Sequence, residues 1–379
     1  MKQPVVHLRE GALAEIGGIL EERAAHRVFF VVDQVAYHSS GAVDVLESHL
    51  AGRTVTRFSD FEPNPNLRDI ERGITQFATT GADVVVALGG GTAIDVAKSI
   101  TRLAGTDVPP REIVTGSAAL ESSGPPLIAI PTTAGTGSET THFAVVYIDG
   151  VKHSLAHDSV RPDYALIDPL LTHSLPPGIT AASGLDALCQ AAESFWAVAA
   201  TDQSIDYAAQ ALQLALTHLI AAVHQPTPAS RFAMSKAGHL AGQAINLGKT
   251  TAPHALSYAI TTEYSVPHGL AVALTLAPTL RYNAQLNDDD CIDPRGSKHV
   301  RARISRLLSH LGCSELETAC EKLEDVIQQV GGPTRFSQIG VTSSDAIERL
   351  AEQVNAQRLS NNPRALDNST LKGLLNTIR

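Results

Sequence analysis

Cysteine is scarce in this chain of 379 residues: Cys189, Cys291, Cys313 and Cys320 are its four, and no pair has zinc-finger spacing. A chain of this size needs no disulfide frame, so all four read as reduced thiols. Positive charge is in deficit, with 29 Lys and Arg against 39 Asp and Glu and a net charge of −10. That argues against general affinity for nucleic acid. It does not exclude a small anionic ligand, because a buried pocket sets its own local field. A long apolar run is also missing. The longest, Ala211 to Val223, is broken by Gln213 and His218 and falls short of a membrane span. The opening MKQPVVHLRE has no apolar stretch of signal-peptide type. The expected location is therefore the cytoplasm. There is no internal repeat and no low-complexity tract. What remains, 44% hydrophobic and 18% charged, is globular. Its length exceeds one ordinary core, so two domains are expected.

Residues 28–32, VFFVV, form a short apolar run ending at Asp33, the pattern of a strand buried on both faces. A carboxylate there can accept hydrogen bonds from a ribose diol and would repel a 2′-phosphate, or it can cap the next helix. FEPNPN at 61–66 is a connection. Residues 82–88, ADVVVAL, predict a second buried strand. It runs into Gly89-Gly90-Gly91-Thr92 and then a helix, AIDVAKSITRLA. Such a loop lets backbone approach a pyrophosphate, and the helix N-terminus adds free N–H groups and a positive dipole end. It is not the GxGxxG fingerprint, and a plain tight turn would look the same. A third strand, PLIAIP at 126–131, ends in TTAGTGSET, Thr132 to Thr140. Two small-residue loops after two buried strands point to a nucleotide. Strand–helix alternation predicts an α/β domain with ligands at the strands' carboxyl ends. Residues 151–169 mix charge with short apolar runs.

Leu175-Pro176-Pro177-Gly178 marks a boundary. Beyond it, ITAASGLDALCQAAESFWAVAA repeats apolar residues at three-to-four spacing, and TDQSIDYAAQALQLALTHLIAAV reads as a long helix. The expected domains are an α/β one, residues 1–176, and an all-α one, residues 177–379. The segment from Leu286 to Lys298 reads as an exposed loop with solvated aspartates. In KTTAPHALSYAITTEYSVPHG, Lys249 to Gly269, two histidines stand fourteen residues apart, at His254 and His268. Pro267 argues against one straight helix. The expectation is a helix carrying His254, a tight turn, and a second helix opening at Pro267-His268-Gly269. Two neutral imidazoles suit a divalent transition metal. Asp186 offers a carboxylate, and Gln190 lies one turn later on the same helix face. Asp186, His254 and His268, with Gln190 or water beside them, would leave a bound cation near +1 with open positions. That suits Fe²⁺ or Zn²⁺ better than Ca²⁺ or Mg²⁺. Such a cation is a Lewis acid for an aldehyde oxygen, or lowers the pKa of an alcohol.

Five motifs carry a resemblance over nearly the whole length: GGGTAIDVAK (89–98), PTTAGTGSE (131–139), the aspartate in GLDALCQ (184–190), HALSY (254–258) and VPHG (266–269). With them the chain resembles the iron-containing (group III) alcohol dehydrogenases. The resemblance implies an α/β N-terminal dinucleotide-binding domain plus an all-α C-terminal metal-binding domain, the dehydroquinate synthase-like fold. It implies NAD(P)H, with Gly89, Gly90, Gly91, Thr92, Asp95, Thr132, Thr133 and Ser138 around the cofactor and Asp33 favouring NAD over NADP. Asp186, His254 and His268 match three of the family's four metal ligands. Two positions depart from the pattern. Gln190 stands where the family usually has the fourth ligand, a histidine, which weakens iron binding and admits zinc. Tyr258 stands where a second histidine tied to proton relay is usual, leaving Tyr258, a bound water or the ribose as proton donor. The family also suggests a homodimer or larger homo-oligomer.

Within the family, KTTAPHALSY and DALCQAAESFW are most similar to the branch that reduces phosphonoacetaldehyde. The expected substrate is thus a small anionic aldehyde or its alcohol. Lys249, with the Thr250 and Thr251 hydroxyls, would neutralise an anion one methylene from the reacting carbonyl. His142, Lys152 and Arg161 are weaker candidates, and nothing local supports Arg358. Sulfoacetaldehyde, succinic semialdehyde or a small diol would keep the chemistry and change the substrate. A cyclase or lyase of dehydroquinate-synthase type, using NAD transiently, is the alternative from another class.

Overall fold

The structure, a computed structural model of the chain, describes residues 3–121 and 124–379. It divides into two compact units, Met1–Leu175 and Pro176–Arg379. The first is α/β. Its strands are β1 (Val5–Leu8), β2 (Arg27–Val32), β3 (Thr54–Phe58), β4 (Val84–Gly89), β5 (Leu127–Pro131), β6 (Phe143–Ile148), β7 (Val151–Ala156) and β8 (Tyr164–Ile167). Its helices are α1 (Glu15–Glu22), α2 (Gln34–Ser39), α3 (Ala42–Leu50), α4 (Leu67–Ala78), α5 (Gly91–Leu103) and α6 (Pro110–Val114).

Among the described residues, one parallel sheet runs in the order β1-β8-β5-β4-β2-β3. The apolar run of β2 is explained by helices on both faces. Phe29 and Val31 join a cluster with Ile70 of α4 and Ile100 of α5, while Val28, Phe30 and Val32 pack with Ile16 of α1 and Leu46 of α3. The three strands expected from apolar runs are β2, β4 and β5. The sequence reading passed over β1 and β8, which are only four residues long, and β3, whose TVTRF is half polar. It also passed over the antiparallel hairpin β6–β7. Asp149-Gly150 turns that hairpin with positive φ at both residues, 52° and 78°, as a two-residue turn of matching twist demands.

The second unit is helical: α7 (Pro177–Trp196), α8 (Asp202–His224), α9 (Pro228–Gly248), α10 (Ala252–Tyr264), α11 (His268–Ala284), α12 (Ser297–His310), α13 (Leu316–Gln329), α14 (Ser344–Glu352), α15 (Ala356–Leu359) and α16 (Asn368–Asn376). Thr201 and Thr227 cap α8 and α9 through capping boxes with Ser204 and Ser230. Pro267 separates two helices: α10 ends at Tyr264, Ser265 takes a left-handed conformation, and α11 opens at His268. The acidic loop is less solvated than expected, since Asp290 pairs with Arg364 and Asp293 with Arg295. All four cysteines are free thiols. No helix of the described residues is long and apolar enough to cross a membrane.

Candidate functional site

In the first unit, the two small-residue loops lie side by side at the carboxyl ends of adjacent strands. The N–H of Thr132 donates to the carbonyl of Gly89 at 2.9 Å, continuing the β4–β5 ladder into the loops. Gly89 has φ 148°, and a Cβ there would stand 2.7 Å from Ala93 Cβ and 2.9 Å from Asp33 Cβ. Glycine is thus required both by conformation and by room. Gly90 caps α5 and Gly91 begins it, with Thr92 next and partly exposed. Thr133 is partly exposed beside Gly90, and Thr132 is buried. Asp33 caps α2, Oδ1 accepting from Ala36 N at 3.0 Å. The cap reading is therefore realised, at the position where a ribose diol was expected to be met. β3 and β4 flank β2 on opposite sides, so Asp33 and Gly89 line the point where strand order reverses, the usual ligand crevice of such sheets.

Asp95 and Ser138 are turned inward. The Ser138 hydroxyl donates to Asp95 Oδ1 at 2.5 Å, and Val145 N donates to Oδ2 at 2.9 Å. Both side chains are buried. Between them lies a residue the sequence reading quoted but did not assign. Lys98 is fully buried, and its Nζ donates to Ser138 Oγ, Thr141 Oγ1 and the Phe143 carbonyl at 2.9–3.0 Å. Burial pushes its pKa down to about 8, against the pull of Asp95 and Glu139. It ties α5 to the second loop. His142 and Arg161 also belong to this unit, before β6 and before β8.

In the second unit, α7 presents Asp186, Gln190 and Glu193 at i, i+4 and i+7, one stripe of a helix. His254 is in the first turn of α10, and His268 is the first residue of α11. His254 Nε2 lies 3.2 Å from Asp186 Oδ1, and His268 Nε2 lies 4.0 Å from the same oxygen. The three ligand atoms are all within 4.8 Å of one another. Two donors each about 2.1 Å from one cation stand roughly 3.0–3.4 Å apart, so the His254–Asp186 spacing fits a shared ion. The half-buried His268 is set more loosely. Gly269 makes the approach possible: a Cβ there would fall 1.9 Å from the Ala182 carbonyl oxygen and 3.0 Å from Asp186 N.

The field at this point favours a cation. Burial works to raise the Asp186 carboxyl, but hydrogen bonds from His254 and Gln190 and the charge of both imidazoles hold it below its ordinary value. Burial works against charge on His254 too. Glu193, then Asp186, outweigh it and push its pKa up to about 10. Glu193 was missed from sequence. Its Oε1 faces His254 Nδ1 at 2.5 Å, while Oε2 accepts from Thr251 N and Oγ1 at 2.7 and 2.8 Å. Extending the Asp186–Gln190 stripe by one more turn would have found it. Ser257, also missed, has its Oγ 3.3 Å from His268 Nδ1. Both histidines therefore turn Nδ1 outward and Nε2 inward.

Thr251 was expected to hold substrate. It is buried, and its hydroxyl is committed to Glu193 and to Nε1 of Trp196 on α7. Thr250 is partly exposed and Lys249 exposed, in the turn joining α9 to α10. Asn361 pins that turn by donating to the carbonyls of Gly248 and Thr250 at 2.9 Å. Lys249 has φ 56° and ψ 175°, a conformation that costs a side-chain-bearing residue about 1–3 kcal/mol. Tyr258 stacks on His268, centroids 5.8 Å apart and planes 8° off parallel. Arg358, unsupported by local sequence, places its guanidinium 4.9 Å from the Tyr258 ring centre.

Comparison with known proteins covers both units. Residues 4–169 match the family model described as iron-containing alcohol dehydrogenase. Residues 180–378 match the C-terminal model of the Fe-containing alcohol dehydrogenase family. The chain is 37% identical over 316 residues to a phosphonoacetaldehyde reductase of Streptomyces viridochromogenes, spanning 79% of this chain and 77% of that one. It is 31% identical to a long-chain-alcohol dehydrogenase of Geobacillus thermodenitrificans, spanning 94% and 89%. Among solved structures, the sulfoacetaldehyde reductase of Bifidobacterium kashiwanohense in complex with NAD⁺ superposes with a TM-score of 0.89 at 30% identity, covering 99% and 97%.

Proposed function

Because the chain belongs to the iron-containing alcohol dehydrogenases and is an oxidoreductase of alcohols and aldehydes, we propose that it reduces a small anionic aldehyde, phosphonoacetaldehyde to 2-hydroxyethylphosphonate, with NAD(P)H and a divalent metal. The observation that carries the reading is the convergence of Asp186, His254 and His268 on one point. The likeness to a phosphonoacetaldehyde reductase supports this substrate, and the likeness to an NAD⁺-bound sulfoacetaldehyde reductase supports both a nicotinamide cofactor and an anionic two-carbon aldehyde.

When bound, the metal supplies Lewis acidity at the carbonyl oxygen and the nicotinamide supplies the hydride. Asp186, His254 and His268 hold the metal, with Gln190 beside them as a weaker amide ligand; Fe²⁺ and Zn²⁺ both suit the set. The domain of residues 1–176 receives the cofactor at Asp33, Gly89–Thr92 and Thr132–Thr133. The domain of residues 177–379 receives metal and substrate. Tyr258, stacked on His268, is the proton donor of this reading. Lys249 and Thr250 hold the anionic tail, and the strained backbone at Lys249 supports a role there, because such strain gathers at ligand-holding turns. Fixing the tail orients the carbonyl.

The test is loss of NADH and NADPH absorbance with phosphonoacetaldehyde, sulfoacetaldehyde, succinic semialdehyde and propanal. Phosphonoacetaldehyde should be turned over best. Lys249→Gly should raise its KM at least tenfold and leave that for propanal nearly unchanged. Equal kcat/KM for phosphonoacetaldehyde and propanal would remove the anion argument. Asp186→Ala should purify without metal.

A further inference from the structure

A carboxylate buried without any exposure is costly unless something nearby requires its charge. Glu193 is such a group, fully buried midway between Gln190 and the end of α7. Its hydrogen bonds have a direction that can be worked out. The indole Nε1–H of Trp196 can only donate, and it donates to Thr251 Oγ1 at 2.9 Å. The single hydroxyl proton of Thr251 is then given to Glu193 Oε2 at 2.8 Å. Thr251 N–H reinforces that oxygen at 2.7 Å. Glu193 Oε1 is left to accept from His254 Nδ1 at 2.5 Å. The neutral imidazole that a metal requires therefore keeps its proton on Nδ1, and Nε2, which faces Asp186 Oδ1 at 3.2 Å, is the nitrogen it would offer to the cation.

We propose that Glu193 is a positioning residue for the metal: it selects the His254 tautomer that presents Nε2 and supplies the second negative charge that balances a divalent cation. The proposal rests on the metal reading given above. Its charge arithmetic is simple. A dication with Asp186 alone leaves a surplus of +1, whereas Asp186 and Glu193 together cancel it. Carboxylates that orient a metal-bound imidazole in this way commonly set metal affinity by about 10–100-fold. The chain's one tryptophan ends this relay, so its emission should report what happens at His254.

The experiment uses the full-length protein, stripped with a chelator and titrated with Zn²⁺ against a chromogenic competitor. Glu193→Gln should keep the circular dichroism and melting temperature of the metal-free parent yet bind Zn²⁺ about 10–100-fold more weakly. Thr251→Val, which removes only the relay hydroxyl, should weaken binding several-fold and abolish the Zn²⁺-dependent change in Trp196 emission. Asp186→Ala is the reference for a lost site. Wild-type affinity in Glu193→Gln, alongside loss in Asp186→Ala, would overturn the role of Glu193 while leaving the metal reading intact. If Glu193→Gln does not fold, Thr251→Val decides: unchanged affinity and unchanged emission response overturn the proposal. Failure of the parent to bind Zn²⁺, Co²⁺ or Fe²⁺ would instead overturn the metal reading itself.

Discussion

At the scale of single residues, the site depends on what is missing as much as on what is present. Gly269 has no Cβ where one would overlap the Ala182 carbonyl. Gly269→Ala should therefore force α11 away from α7, at a cost of about 1–3 kcal/mol or more. Because His268 precedes it and Asp186 lies across from it, the same substitution should lower metal content. Urea unfolding and metal analysis of the purified variant check both. Legibility at this scale was uneven. Asp186, His254 and His268 could be picked from motif and spacing. The stripe of α7 could have pointed to Glu193, but its partner could not be read, nor Ser257's, because those partners lie on other elements or across a turn: Glu193 meets His254 sixty-one residues away. The anion-holding role given to Thr251 failed for a related reason. A threonine at a helix start looks exposed in sequence, and only its packing against α7 shows that the hydroxyl is already committed.

At the scale of elements, strand starts are fixed by capping groups that an apolar pattern does not record. ADVVVAL was expected to begin pairing at residue 82, but β4 begins at Val84. Asp83 instead uses its carboxylate to accept from the backbone N–H groups of His26 and Arg27, each at 2.8 Å, and from the Arg27 guanidinium at 2.9 Å. It thereby joins the starts of β2 and β4. The Arg27 hydrogen bond, aided by the two backbone donors, holds its pKa down to about 2, from an ordinary 3.8. A carboxyl lowered on folding stabilises the fold above its ordinary pKa, and loses that contribution as pH falls towards its folded value. Asp83→Asn should accordingly be less stable than the parent at pH 7. Between about pH 4 and pH 2 its stability should fall less steeply than the parent's. Denaturant midpoints at pH 7, 4, 3 and 2 measure this. The hairpin β6–β7 was legible in principle, since Asp-Gly between alternating strands is a strong turn signal. The short edge strand β1 was not, because four residues carry too little pattern to outweigh a loop.

At the scale of the molecule, the two units should respond to separate ligands. Ligand binding protects what it touches. In hydrogen exchange, NADH should slow the amides of Gly89–Thr92 and Thr132–Ser138. Zn²⁺ should slow residues 184–193 and 251–269, and a chelator should reverse only the second effect. Protection by Zn²⁺ confined to the acidic loop at 286–298 would refute the assignment of the metal to α7, α10 and α11. In the sequence a prolyl boundary at Pro176-Pro177 separates strand–helix alternation from helical periodicity, and the compact units divide between Leu175 and Pro176.

By itself the sequence determined the three buried strands β2, β4 and β5, the glycine loops after two of them, the helical second half, and three side chains suited to one metal. These follow from local patterns of apolar spacing, proline and glycine. The tertiary structure alone decided which groups stand behind those three. It turned Asp95 and Ser138 inward onto Lys98, gave Thr251 to Glu193, and laid Arg358 over Tyr258. Contacts of this kind join helix faces or strand ends far apart in the chain, and packing sets them rather than any periodicity within one segment.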